Sequence, residues 1–408
     1  MRTIVINTGT ELLLGDVLNS HLAFIAREIF PLGLRIERQV TVPDGSAIRD
    51  AIAESLDRAD IILITGGLGP TTDDITREIT ADLLGLKLQH DPAIMKSIET
   101  RAARRGFRLT DRVARQADVP EGATVLPNEH GSAPGLYLAA NQTKKWPHLF
   151  LLPGPPRELH PMFQTSVLPI LRAIVPPESG IGRRTFRIAG LGESLVEEAI
   201  GAQLLEIPGL ELGYCARPGE IDLRLIGEAS ILDQAERIIR EKLGPAIFST
   251  DGGDLEDAVV KLLTERRKTL AIAESCTGGY LAHRITNVPG ASAVLLAGHV
   301  TYSNQAKRTM LGIDPRLIVE HGAVSEKVAQ AMAEGALVGA NADFALATTG
   351  IAGPGGGTEE KPVGTVFIAL AARGRATKVE KRFFPDDRPT FKVLTTQTAL
   401  EMLRRELM

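Results

Sequence analysis

The sequence predicts an α/β protein in which two three-layer α/β domains are joined by a small α+β module. Three observations predict this architecture. Short β-branched runs alternate with amphipathic, helix-length stretches, which is typical of parallel sheets covered by helices on both faces. Breaks rich in proline and glycine occur at residues 176–180 and 250–253. The 408 residues are enough for two or three compact units, and we predict boundaries of 1–175, 176–250 and 251–408.

The first region repeats the strand and helix patterns several times. Strand-like runs are separated by helix-like runs, and such connections favour right-handed crossovers within one parallel sheet. The strand-like runs are residues 3–7, 36–42 and 60–65, and the helix-like runs are residues 19–32 and 46–59.

The two later regions have different patterns. The middle region predicts a strand, a helix, two strands around a turn at 217–220, a further helix and a short strand. The last region begins with helix-like residues 255–267, continues with a strand-like run at 269–273 and ends with helical spacing over 389–408. Parallel strands would bring three of its loops to one sheet edge. These loops are 275–279, 301–307 and 348–357.

Composition excludes several classes of protein. The net charge of −4 gives no basic field for nucleic acid, and no apolar run approaches membrane-spanning length. Cys215 and Cys276 are too few for a disulfide framework or a zinc site. The N-terminus has no signal-peptide pattern. We expect a cytoplasmic protein that acts on small molecules, with neither a nucleic-acid nor a membrane partner.

The loop after the strand-like run 269–273 holds a candidate nucleophile, Ser275. A serine hydroxyl needs a base, and no histidine lies beside the three loops, so Lys307 is the candidate base and Tyr302 could steady its proton. Three alternatives stay open at this point. Ser275 could be a helix N-cap, Lys307 could be a solvated surface charge, and Cys276 is either a rival nucleophile or a buried spectator.

The third loop is rich in glycine between Gly350 and Gly357. Glycines let backbone N–H groups approach a ligand closely, so this loop could form an oxyanion hole or a clamp. The alternative is that these glycines only make turns.

Three segments together resemble the C-terminal domain of the CinA (competence/damage-inducible protein) family: 273–279, 300–307 and 349–354. The resemblance implies a cofactor-free amidohydrolase that converts nicotinamide mononucleotide to nicotinic acid mononucleotide and ammonia. It implies that Ser275 is the nucleophile and Lys307 its base, and that Tyr302 and Thr349 support them. The substrate-contacting residues that it implies are Thr277, Gly278, Gly279, Gly350, Gly353 and, for the 5′-phosphate, Arg388.

A second group of candidate binding residues follows the strand-like run 60–65. Gly66, Gly67 and Gly69 would allow close backbone approach, and we predict that Asp73 and Asp74 lie in the first turn of the next helix. These carboxylates could bind a divalent cation, or they could only cap that helix. The segment lacks the Walker and dinucleotide patterns. Other strand-end loops add Glu11, Asp44, Gly154 and Glu158.

This N-terminal set resembles the molybdopterin-binding (MoCF) domain that begins CinA chains. The resemblance implies metal-dependent hydrolysis of ADP-ribose, with magnesium, manganese or cobalt as the divalent ion and potassium as a further candidate. The implied metal-handling residues are Glu11, Asp44, Asp73 and Asp74. The implied nucleotide-binding residues are Gly66, Gly67, Gly69, Gly154 and Glu158.

Residues 187–194 resemble the KH-like module of CinA chains, but Gly190 to Glu193 lacks the basic Gly-X-X-Gly loop of RNA-binding KH domains. We therefore expect a spacer or a dimer contact. The complete sequence predicts a bifunctional hydrolase of pyridine-nucleotide salvage, with a homodimer expected from the family alone. The rival hypothesis is a pterin- or nucleotide-binding regulatory protein linked to competence or DNA uptake.

Overall fold

The computed structural model describes residues 1–106, 108–176 and 181–408, with the side chain of Arg105 excepted. The chain divides into two compact units, one ending at residue 180 and one comprising Ile181–Met408. Residues 177–180 of the sequence-predicted break at 176–180 lie outside the described residues.

The first unit is built on a six-stranded sheet with a separate two-stranded ladder. Its strands are β1 (Arg2–Thr8), β2 (Arg35–Val42), β3 (Ile61–Thr65), β4 (Leu88–His90), β5 (Asp118–Pro120), β6 (Thr124–Leu126), β7 (Gly135–Leu138) and β8 (His148–Leu152). The sheet order is β2-β1-β3-β8-β7-β6. The first four strands in this order are parallel, as predicted, whereas β7 and β6 add an antiparallel edge that the sequence patterns did not indicate.

Helices cover both faces of this sheet. They are α1 (Thr10–Leu14), α2 (His21–Ile29), α3 (Ala47–Leu56), α4 (Thr76–Leu83), α5 (Pro92–Arg105), α6 (Asp111–Ala114), α7 (Pro156–Met162) and α8 (Leu168–Ile174). Successive residues of a strand point to opposite faces. Leu63 accordingly packs with α2, α7 and α8, while its neighbours Ile62 and Ile64 pack with α3 and α4. The predicted three-layer arrangement is confirmed.

The second unit begins with a small antiparallel module. Its elements are β9 (Ile181–Ala189), α9 (Glu193–Leu205), β10 (Glu211–Arg217), β11 (Glu220–Glu228), α10 (Ala229–Leu243) and β12 (Ile247–Ser249). The four strands are ordered β10-β11-β9-β12. Arg217 pairs with Glu220 across the turn, so the predicted hairpin is confirmed.

The rest of the second unit is a five-stranded α/β domain. Its elements are α11 (Leu255–Glu265), β13 (Leu270–Glu274), α12 (Tyr280–Thr286), β14 (Leu295–Val300), α13 (Asn304–Leu311), α14 (Pro315–His321), α15 (Glu326–Gly339), β15 (Phe344–Gly350), β16 (Thr365–Ala372), β17 (Lys378–Phe383) and α16 (Arg388–Leu407). The order is β14-β13-β15-β16-β17, and β13, β14 and β15 are parallel.

The two faces of this sheet differ in side-chain size. Leucine and isoleucine side chains, such as Ile272 and Leu346, pack against α11, α12 and α16. Alanines, such as Ala273 and Ala347, face α13, α14 and α15. Small side chains leave room for helices to approach the sheet closely. Both faces are buried, so this is a second three-layer domain.

Polar contacts join the module to this α/β domain. Arg187 of β9 is 4% exposed, and its guanidinium pairs with Asp254, which precedes α11, and with Glu220 of β11. Gln397 of α16 donates to the Glu220 carboxylate over 2.9 Å. Arg404 of α16 donates to the carbonyl oxygen of Pro245 over 2.6 Å. The contacts of Arg187 with Asp254, of Gln397 with Glu220 and of Arg404 with Pro245 link the two parts within one compact unit.

No helix among the described residues has both the length and the hydropathy that crossing a membrane would require.

Candidate active sites

Ser275 lies directly after β13, at the carboxyl edge of the parallel strands. A four-residue turn, 276–279, separates it from α12. Gly278 and Gly279 have φ values of +60° and +92° in this turn, a region that residues with a Cβ rarely adopt. Gly279 is the N-cap of α12, so the alternative that Ser275 caps this helix is wrong.

Glu274 fixes this turn, and sequence reasoning missed it. Its side chain is 1% exposed, and the carboxylate accepts hydrogen bonds from the backbone N–H groups of Gly279, Leu281 and Ala282 at 3.1, 3.0 and 2.9 Å. A buried carboxylate at a helix N-terminus satisfies N–H groups that have no partner within the helix. The available signal was an acidic residue at a strand end, shortly before a helix.

Neighbouring strands hold the backbone on both sides of the serine. The Ser275 N–H donates to the Thr348 carbonyl oxygen over 2.9 Å, and the Thr301 N–H donates to the Glu274 carbonyl oxygen over 2.7 Å. The hydroxyl of Ser275 is therefore presented from a fixed position between β14 and β15.

Lys307, in α13, contacts Ser275 directly. Its Nζ donates to Ser275 Oγ over 2.9 Å and to the Thr301 carbonyl oxygen over 2.8 Å. The side chain is 1% exposed, so the alternative of a solvated surface charge is wrong. Burial lowers the pKa of Lys307 below the ordinary lysine value, because a charged amine loses its hydration there. This amine can exist as a free base more easily than an ordinary lysine.

Cys276 is buried beside the serine. Burial raises the pKa of its thiol to about 12, so the nucleophilic thiolate is disfavoured near neutral pH. Cys276 is a spectator here, which agrees with one of the two interpretations of the sequence.

Arg388 connects the second and third loops. Its Nη2 donates to the Tyr302 hydroxyl over 2.9 Å, and its Nη1 donates to the Gly353 carbonyl oxygen over 2.8 Å. The Tyr302 side chain is otherwise 62% exposed. Tyr302 therefore has Arg388 as its hydrogen-bond partner rather than the Ser275–Lys307 pair.

Three buried threonines brace the base of the site. Thr349 Oγ1 donates to the Ala323 carbonyl oxygen over 2.8 Å, and the hydroxyls of Thr277 and Thr348 are 2.7 Å apart. Gly350 is the last residue of β15, and a Cβ there would lie 2.8 Å from the Thr365 carbonyl oxygen. The Thr277–Thr348 contact ties the Ser275 turn to β15, and the Thr349 bond ties β15 to the segment ahead of α15. Thr348 was not among the predicted site residues.

The first unit has its own cleft of about 530 Å³. The structure brings all nine of the predicted N-terminal residues to its walls: Glu11, Asp44, Gly66, Gly67, Gly69, Asp73, Asp74, Gly154 and Glu158. His21 and Gln116 also line the cleft, and no spacing pattern marked them beforehand. The strand-end loops of the parallel sheet account for this convergence.

Asp73 and Asp74 precede α4, which begins at Thr76, so their predicted placement in its first turn is wrong. The N–H of Thr71 instead donates to Asp74 Oδ2 over 2.9 Å, which stabilises a turn ahead of the helix. Gly69 allows this turn to close, because a Cβ there would lie 2.5 Å from Asp74 Oδ2. A hydrogen bond from Thr71 also lowers the pKa of the exposed Asp73 carboxyl.

The cleft carboxylates do not form a ready-made metal cage. Within residues 1–106, 108–176 and 181–408, no three His, Cys, Asp or Glu side chains converge at a position suited to a metal ion. Asp44 Oδ2 accepts from the N–H and hydroxyl of Thr10 at 3.0 and 3.2 Å. The donors nevertheless fit magnesium, which is often held by one or two carboxylates together with substrate phosphates.

Comparisons with known families match three successive segments of the chain. Residues 4–173 match the model described as "Probable molybdopterin binding domain". Residues 183–249 match the "Damage-inducible protein CinA KH domain", and residues 253–407 match the "CinA C-terminal domain".

Relatives match almost the full length of the chain. A CinA-like protein of Akkermansia muciniphila is 46% identical over 98% of this chain and 96% of its own. A CinA-like protein of Citrifermentans bemidjiense is 42% identical over 100% of this chain and 98% of its own. The solved structure of the competence/damage inducible protein CihA from Agrobacterium tumefaciens is 44% identical, covers 38% of this chain and 96% of that one, and has a TM-score of 0.36. The chain belongs to the CinA family.

Proposed function

We propose that the C-terminal domain is a serine amidohydrolase that converts nicotinamide mononucleotide to nicotinic acid mononucleotide and ammonia. The observation that carries this proposal is the 2.9 Å contact between Lys307 Nζ and Ser275 Oγ. A buried lysine with a lowered pKa can act as the base for a serine hydroxyl in the absence of histidine.

The reaction has two halves. Ser275 Oγ attacks the carboxamide carbon while its proton passes to Lys307 Nζ, and the departing ammonia then takes that proton. Water, deprotonated by the same amine, cleaves the resulting ester, and Ser275 recovers its proton from Lys307. Backbone N–H groups at the start of the 276–279 turn follow the nucleophile directly and are proposed to stabilise the oxyanion.

The test is ammonia release from nicotinamide mononucleotide by wild type, Ser275→Ala and the matched neighbour variant Cys276→Ala, each with and without a chelator. We expect Ser275→Ala to lose activity by at least about a thousandfold, because nucleophile removal is among the most damaging changes to such enzymes. Cys276→Ala should keep the ammonia-releasing activity of wild type, and the chelator should not change that activity. No ammonia from folded wild type would reject the proposal.

We further propose that the N-terminal domain hydrolyses the pyrophosphate of ADP-ribose with a divalent ion. The convergence of nine predicted residues on one cleft supports this proposal. Glu11, Asp44, Asp73 and Asp74 would hold the ion together with the substrate phosphates. When bound, such an ion would offset charge on the leaving phosphate and supply a reactive water.

This second activity has a separate test, which is the release of AMP and ribose 5-phosphate from ADP-ribose with and without a chelator. Asp73→Asn should reduce turnover, because one cleft carboxylate is removed. Asp57→Asn, an exposed carboxylate outside the cleft lining, should not.

A binding role is the second candidate for this domain. It is favoured by the lack of three converging metal ligands among the described residues. Calorimetry would test whether ADP-ribose or a pterin binds to this domain. Binding with no hydrolysis product after addition of magnesium, manganese or cobalt would support this role.

A further inference from the structure

Lys392 lies on α16, one helical turn after Arg388, and none of the proposed roles includes it. Its Nζ is 5.7 Å from the centroid of the Tyr280 ring, at the start of α12. A Cβ built on Gly278 would lie 3.9 Å from the same Nζ. Lys392 thus places an ammonium group beside the turn that follows the nucleophile.

The charge of Lys392 has no anionic partner within the part of the chain that the structure describes. The contact that the structure gives this ammonium is the face of Tyr280, and a cation over an aromatic ring is held without being neutralised. Lys392 is half-buried, which limits how far its end can move. Basic residues elsewhere on α16, such as Arg405, are paired with carboxylates.

Arg388 is in a different situation. Two of its guanidinium nitrogens already bond to Tyr302 and Gly353. Those bonds hold two loops together and use two of the five N–H groups of the guanidinium. Residues i and i+4 share a helix face, so Lys392 adds a second cation to the side of α16 that carries Arg388, and of the two it is the one whose charged group makes no hydrogen bond among the described residues.

We propose that Lys392, supported by Tyr280, is a specificity-determining residue that binds the phosphate of a phosphorylated substrate, while Arg388 positions the loops. This inference rests on the proposed amidohydrolase function. The exposed Gly278 leaves open the space in front of the ammonium, which a side chain at this position would fill. A charge-assisted contact of this kind favours a nucleotide over its unphosphorylated nucleoside.

The experiment compares wild type, Lys392→Met, Lys392→Arg and the control Lys327→Met, an exposed lysine of α15. We expect Lys392→Met to raise KM for nicotinamide mononucleotide about tenfold or more and to leave kcat nearly unchanged, since uniform binding is lost. Ribose 5-phosphate should inhibit wild type and Lys392→Arg competitively, and Lys392→Met far less. Lys327→Met should match wild type.

A second readout does not depend on catalysis. Ribose 5-phosphate should raise the Tm of wild type and of Lys392→Arg but not that of Lys392→Met, and ribose should raise none of them. If these Tm shifts are observed but wild type releases no ammonia, the amidohydrolase proposal is rejected and the proposed anion site at Lys392 is supported. Unchanged KM, inhibition and Tm shift in Lys392→Met would overturn the inference, as would loss of ribose 5-phosphate binding in Arg388→Ala alone.

Discussion

Lys307 has the burial of a core residue and ends in an amine that must lose its proton before it can accept one from Ser275. Its pKa lies below 10.5 because burial removes hydration from the ammonium form. We predict that kcat/KM for ammonia release rises with pH through this lowered pKa and levels off above it. A profile that keeps rising until the ordinary lysine range would show that the pKa of the base is not lowered.

The lowered pKa of Lys307 also predicts how protein stability depends on pH. Between the lowered folded pKa and 10.5, the unfolded chain binds more protons at Lys307 than the folded chain does. The contribution of Lys307 to the free energy of unfolding must therefore rise with pH in this window. Below the window the burial penalty is complete, and above 10.5 it is gone.

The matched variant for this prediction is Lys307→Met, which cannot titrate at this position. Urea unfolding at several pH values should show the stability of wild type gaining on that of the variant as pH rises. Parallel curves for the two proteins would show that the folded pKa of Lys307 is not lowered.

Thiol reactivity tests the assignment of Cys276 as a spectator. Cys215 is exposed and Cys276 is buried with a pKa raised to about 12. A thiol reagent at neutral pH should modify one cysteine of the native protein and two of the denatured protein. Rapid labelling of Cys276 in the native state, detected by peptide mass spectrometry, would make it a nucleophile candidate again.

At the scale of elements, the Ser275 turn depends on the Glu274 carboxylate, which accepts three backbone N–H bonds. Glu274→Gln keeps the shape but replaces one acceptor oxygen with a donor. We expect a loss of about 1–3 kcal/mol in unfolding free energy, because a buried N–H loses its partner, together with a reduced kcat. Glu265→Gln, at the exposed end of α11, is the control. An unchanged kcat in Glu274→Gln would show that the turn does not need this anchor.

Element patterns explain how far the sequence could predict the site. Alternating strand and helix patterns correctly indicated that loops after β13, β14 and β15 share one edge, which is why Ser275 and Lys307 could be paired before the structure was known. The patterns did not separate the loop ahead of α4 from its first turn, so Asp73 and Asp74 were placed in that turn although the helix begins at Thr76. The antiparallel strands β6 and β7 were missed because short strands carry little periodicity.

Side chains that act through tertiary contacts left weaker signals. Glu274 and Thr348 stand at the ends of strand-like runs in the sequence, and their partners are known only once the strands are assembled. Lys392 is part of the long helix α16, and a lysine in a helix is usually a solvated charge. Its position beside Gly278 depends on how α16 packs against the sheet.

At the scale of the whole molecule, each proposed activity should depend on its own domain. Ser275→Ala should stop ammonia release and leave ADP-ribose hydrolysis unchanged, and Asp73→Asn should do the reverse. A chelator should inhibit only the second reaction, and assays of both reactions on each variant check this independence. If one substitution lowers both activities while folding is intact, the two reactions are coupled rather than independent. The homodimer remains a prediction, which sedimentation equilibrium would test.

The Arg187 contacts between the middle module and the α/β domain have a thermodynamic consequence. Arg187 of the module pairs with Asp254 of the α/β domain, and Gln397 and Arg404 of α16 bond back to Glu220 and Pro245 of the module, so melting of either part breaks charge-assisted contacts made by the other. Residues 181–408 should therefore denature in a single calorimetric transition, although two domain families meet within them. A protein fragment that begins near residue 250 lacks the module residues to which α16 bonds. The α/β domain alone should therefore have a lower Tm than the same domain in the intact chain.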